Sequence, residues 1–184
     1  SLEDLVREIR EESERNKKET RKLLRRIEEE SKRNLDESER LHREDKKRLE
    51  DIAERLERRV RDEDKLRRLK EELERILKRN KDLVDEDREE NERIITKLRK
   101  LVKEDEDKNR KIITDLEDVL RKVKDEDLVR KVITEVKRLL EESHKESREV
   151  IREIKELLEE SHEKSKKVNE ESKKLAEDVL RKAD

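Results

Sequence analysis

Glycine, proline, cysteine, methionine and every aromatic residue are missing from this chain. Each absence excludes something. Without cysteine there is no disulfide and no thiolate metal site, and the redox compartment cannot be read. Without aromatics there is no platform on which a nucleic-acid base could stack. Lysines and arginines (55) nearly balance aspartates and glutamates (57) and the signs are interspersed, so no basic block offers a phosphate footprint. No apolar run approaches the roughly 20 residues that span a bilayer, and no signal-peptide pattern opens the chain. Partners of the nucleic-acid or membrane kind are therefore not expected. Neither is a targeting signal, and the expectation is a soluble product of recombinant cytoplasmic expression.

What is present is charge on a regular apolar frame. Charged residues make up 61% of the chain and apolar ones 27%, which leaves a disordered polyampholyte, a single exposed helix or a bundle of long helices. Internal repetition decides among them. LVREIREESERNKKETRK (5–22) aligns with LLRRIEEESKRNLDESER (23–40), so Leu5 matches Leu23, Ser13 matches Ser31 and Asn16 matches Asn34, an 18-residue period. Residues 76–93 and 94–111 repeat the same way, with Asp87/Asp105 and Asn91/Asn109 in register. So do 132–149 and 150–167, with Ser143/Ser161, His144/His162 and Ser147/Ser165. At about 3.6 residues per turn, such a repeat closes about five turns, so the apolar face keeps one direction and the helices should run straight.

The apolar face swings twice. Extrapolated at about 100° per residue, the stripe Ile94, Ile95, Leu98, Leu101, Val102 is rotated by roughly 110° from the stripe Leu5, Val6, Ile9. The stripe Val132, Ile133, Val136, Leu139, Leu140 is rotated by roughly 210°. Both changes fall at one acidic word, Asp62-Glu63-Asp64 and Asp125-Glu126-Asp127, where aspartate suits a helix N-cap. The sequence thus predicts an all-α, straight antiparallel three-helix bundle, coiled-coil-like with an 18-residue repeat. It would form one domain over 1–184, with helices near 2–61, 64–124 and 127–183, each about 90 Å long.

Folding the chain back at both words brings its polar stripe residues to three shared heights. The first holds Asn16, Thr20, Asp105, Asn109, Ser143, His144 and Ser147. The second holds Asn34, Ser38, Asp87, Asn91, Ser161, His162 and Ser165, and the third His42, Asp45, Asn80, Asn169 and Ser172. An unpaired buried polar group costs about 1–3 kcal/mol, so such residues are expected in hydrogen-bonded layers that specify register.

Those insertions in Leu/Ile/Val stripes (Asn16/Asn34, Asp87/Asp105, Asn91/Asn109 and Ser-His-x-x-Ser), with the missing residue types, resemble de novo designed helical bundles with buried hydrogen-bond networks. The resemblance covers the whole chain. Its departures are loops free of Gly and Pro and unusually long helices. It implies a scaffold, an obligate oligomer, a component of a designed heterodimer, or a switchable cage that holds a further helix.

Function in the biochemical sense is expected to be absent: no enzyme, no cofactor, no metal and no required partner. Asp, His and Ser at one height imitate a hydrolytic triad, but no strained turn or glycine offers an oxyanion hole. His144 and His162 stand about 27 Å apart on one helix and cannot share an ion. The alternative is a three-helix component that self-associates or accepts a partner helix in a groove between the second and third helices. Histidines beside aspartates would make it pH-responsive.

Overall fold

The computed structural model describes all of residues 1–184 and contains three helices. They are α1 (Leu2–Arg59), α2 (Glu63–Lys122) and α3 (Glu126–Arg181). Each opens on acidic residues and closes on basic ones, Glu3 and Asp4 against Arg58 and Arg59 in α1, which complements the helix dipole. With no Gly or Pro to interrupt them, strong helix formers carry the elements from cap to cap.

The caps are specific. Asp62 Oδ1 accepts from the backbone N–H groups of Asp64 and Lys65 at 3.0 and 3.3 Å. Asp125 Oδ1 does the same for Asp127 and Leu128, and Ser1 Oγ accepts from Asp4 N–H. The first aspartate of each acidic word is therefore the cap. That is why α2 and α3 begin at Glu63 and Glu126, one residue before the positions that the sequence suggested. The C-terminal ends also fall two residues short of the expected 61, 124 and 183. Val60 and Val123 continue the last turn, donating to Leu56 and Val119 carbonyls at 2.9 Å each. No residue adopts positive φ, so these turns need no glycine.

Contacts divide the chain into two compact units. Unit 1 is Ser1–Glu28 with Ile94–Glu156, and unit 2 is Glu29–Arg93 with Leu157–Asp184. Each contains one stretch of every helix. In unit 1 the start of α1 packs with the end of α2 and the start of α3, so α2 runs opposite to the other two. Its core holds Val6 and Ile9, Ile113 and Leu116, and Val129, Ile133 and Leu140. In unit 2 the core holds Leu49, Ile52, Leu56 and Val60, Leu69 and Leu73, and Ala176 and Val179. Three packed helices in each unit make the fold an all-α three-helix bundle.

Two stripe residues named above do not enter the core. Leu101 and Leu139 are exposed. Each sits at the margin of its stripe, beyond the wedge that two neighbouring helices can cover.

Candidate functional site: the polar levels

In unit 1 the polar level is a junction of α3 with both partners. Ser143 donates its hydroxyl to Asp105 Oδ1 at 2.7 Å, and Ser147 donates to Asp105 Oδ2 at 3.0 Å. Asn109 Oδ1 lies 3.4 Å from the Ser143 hydroxyl. One carboxylate of α2 is thus held by two serines one turn apart on α3, a spacing that puts both on one face. On the other side of α3, His144 Nε2 lies 3.5 Å from Glu19 of α1, and Arg148 lies 3.7 Å from the same carboxylate. Thr20 is buried, whereas Asn16, Asp105, Asn109, Ser143, His144 and Ser147 are half-buried.

Unit 2 carries the same pattern on the neighbouring sequence repeat. Ser161 donates to Asp87 of α2. His162 Nε2 lies 3.3 Å from Glu37 of α1, and Lys166 lies 3.7 Å from it. Asp87, Asn91, His162 and Ser38 are buried, and Asn34, Ser161 and Ser165 are half-buried. Two buried atoms here lack a partner, Asn91 Oδ1 and His162 Nδ1.

The third level, also in unit 2, is the poorest in bonds. Ser172 donates to Asn80 Oδ1, and both residues are buried. Asn169 and His42 are half-buried. Asp45 is only 3% exposed and neither of its carboxylate oxygens has a partner; Asn80 Nδ2 and His42 Nδ1 have none either. Burial raises the Asp45 carboxyl above its ordinary range, against the pull of Lys173 and Arg48. Burial likewise lowers His42, against Asp45 and Asp85.

Many of the residues at these levels are half-buried, although the sequence pattern places them on the core side of their helices. Short Ser, Asn and Asp side chains fill less of the space between helices than Leu or Ile, and clefts open where they gather. One of about 200 Å³ in unit 1 is lined by Asn16, Thr20, Asp105, Asn109 and His144. One of about 180 Å³ in unit 2 is lined by Ser38, His42, Asn80, Asp87, Ser161 and Asn169. Both have room for water at the polar atoms.

The pairing within the first two levels also differs from the Asp–His–Ser order that the residue types suggested. The aspartates take serines, while the histidines turn to glutamates of α1. No Ser–His hydrogen bond forms, so a nucleophile–base relay is not assembled. No group of three or more His, Cys, Asp or Glu is placed to hold a metal ion. No helix is long and apolar enough to cross a membrane.

Glu19 and Glu37 were not among the residues singled out from sequence, and neither was the buried Ser31. The signal was there. Glu19 and Glu37 are repeat partners, as His144 and His162 are, and Ser31 is the repeat partner of Ser13. Glutamates are so common in this chain that two in register do not stand out by pattern alone.

No protein-family model matches the chain, and no curated protein matches it. Among solved structures it is similar to one described as a computationally designed three helix bundle. The identity is 22%, the match covers 99% of this chain and 85% of that one, and the TM-score is 0.44.

Proposed function

We propose that this chain is a designed structural scaffold without catalytic activity, in which the polar levels specify how its helices pair and in which register. Leu/Ile/Val stripes with an 18-residue period would pack nearly as well if one helix slid by a repeat or a second chain replaced a helix. Polar groups do not tolerate such changes, because each misplacement leaves a desolvated donor or acceptor. The observation that carries this reading is the recurrence of one three-helix junction at two heights. Serine on α3 bonds aspartate on α2, and histidine on α3 meets glutamate on α1. No cofactor or partner is needed for it. The missing residue types and the uniform repeat support a designed origin.

The test removes both sides of each bond. With Asp87, Ser161, Asp105, Ser143 and Ser147 all changed to Leu, circular dichroism is expected to show unchanged helicity. Light scattering is expected to show mixed oligomers in place of one species. A single species of 22.6 kDa at every concentration would leave the levels without a specifying role.

A second reading, a bundle that accepts a further helix, has its own support. All six exposed large apolar residues lie on α2 and α3, and none on α1.

A further inference from the structure

The clefts at the two repeated polar levels are not equivalent. In unit 1 both carboxylate oxygens of Asp105 are taken, one by Ser143 and one by Ser147. Asp87 holds the corresponding place in unit 2, and only Ser161 bonds it, at Oδ1. Ser165, the repeat partner of Ser147, lines the cavity of about 180 Å³ instead of closing on Oδ2.

The free oxygen looks into that cavity. Asp87 is only 8% exposed, and Ser38 of α1 only 6%. Asp87 Oδ2 and Ser38 Oγ take no hydrogen bond from the chain, yet neither is sealed from contact as Asn91 Oδ1 and His162 Nδ1 are. Both residues line the cavity, so these two atoms open onto it.

The cavity has two unlike parts. Its acceptor end gathers Ser38, Asp87 and Ser165, one from each helix. Its body is aliphatic and half-buried, with Leu41 of α1, Leu83 and Val84 of α2 and Val168 of α3. Helix geometry sets this order, since Leu83 and Val84 lie about one turn before Asp87 on the same face. Asn80 follows about one turn further, with its Oδ1 already taken by Ser172.

Charge chooses the ligand. A carboxylate and two hydroxyl oxygens form a set of acceptors, and a primary ammonium brings three donors and the opposite charge. A neutral molecule would leave the carboxylate desolvated without a counter-charge. The other charged groups of the lining lean the same way. Glu86 and Glu90 of α2 are exposed at the mouth, facing the exposed Lys164 of α3. Lys166 is drawn to Glu37 of α1 at 3.7 Å. His42, lowered by burial, adds no charge at neutral pH. Size sets the rest. An apolar cavity of about 150 Å³ holds a benzene ring, so one ring on a short amine arm fits here.

We infer that the unit 2 cavity is a binding site for a small primary ammonium with an apolar body of about one ring. Asp87 Oδ2 pairs with the charge, Ser38 and Ser165 accept the remaining N–H groups, and Leu41, Leu83, Val84 and Val168 cover the ring. This goes beyond the scaffold reading, in which Asp87 serves only to pair helices.

The probe is phenethylammonium, titrated onto the full chain and followed by methyl spectra. Saturable shifts are expected at Leu41, Leu83, Val84 and Val168 and not at Val6 or Ile133 of unit 1, with half-saturation at or below about 1 mM. The neutral isostere 2-phenylethanol should bind about tenfold or more weakly, for want of the charge. Ethylammonium, which keeps the charge and lacks the ring, should lose about as much. D87N should weaken the probe about tenfold with its circular dichroism unchanged, whereas D105N and K164A should leave it within about threefold. Absence of saturation, equal binding of the alcohol, shifts spread over both units, or full binding by D87N would overturn the inference. So would binding that appears only in K164A, which would mean that Lys164 fills the acceptor end itself. The scaffold reading is judged separately, on the oligomers formed when the polar levels are replaced, so either can fail alone.

Discussion

Asp45 and His42 are the two residues whose folded surroundings oppose their charge. Asp45 is raised by burial, so between its unfolded value of 3.8 and its higher folded value the folded chain binds the extra proton. Stability through Asp45 therefore falls as pH rises across that window. His42 is lowered by burial, so between its folded value and 6.5 the unfolded chain binds the extra proton, and stability through His42 falls as pH drops below 6.5. The two trends oppose each other, and the parent profile hides them. Urea unfolding of single variants separates them. D45N leaves only the histidine and should lose stability as pH falls from about 6.5. H42Q leaves only the aspartate and should gain stability as pH falls toward about 4. At pH 7, D45N should be about 1–3 kcal/mol more stable than the parent, because an ionised buried group without partners is replaced by a neutral one. Equal stability of D45N and parent at pH 7 would mean that water reaches the carboxylate.

At the scale of elements, the chain is read from its caps. The phase of the apolar stripe located both turns, and the paired acidic words fixed them to within two residues. What the sequence left open was which aspartate of each word does the capping. Asp62 and Asp64 are equivalent as residue types, and the choice depends on a backbone conformation that lets Oδ1 reach N–H groups two and three residues on. The structure chooses Asp62 and Asp125. Their replacement by Ala should each cost about 0.5–2 kcal/mol in urea unfolding, whereas D64A and D127A should cost clearly less. The opposite order would return the caps to the second aspartate. For the polar levels, helix period and reflection give the height at which a residue is expected. Which neighbour each side chain meets was not legible, because that depends on which side of α3 faces α1. Hence the serine and histidine partners emerged only with the fold, and Leu101 and Leu139 passed for core.

For the molecule as a whole, that unresolved side is the hand of the bundle. Helix period and loop length allow α3 to pack on either side of the α1–α2 pair, and both arrangements bring the same residues to the same heights. The hand decides whether His144 looks at α1 or at α2. In this structure α3 offers His144, Arg148, His162 and Lys166 to α1 and Ser143, Ser147 and Ser161 to α2. In the other hand the histidines would meet Asp105 and Asp87, and the glutamates of α1 would meet serines. The border charges thus read the hand in solution. Reversing Glu19 to Lys should destabilise the chain, and adding R148E should restore much of the loss. The coupling should be about 0.2–1 kcal/mol for so exposed a pair and should shrink in high salt. Glu37 to Lys with K166E should behave the same way in unit 2. Two double-mutant cycles in urea measure both couplings. Zero coupling in both, with E19K and E37K as stable as the parent, would mean that these border charges do not hold α3 on this side of the α1–α2 pair.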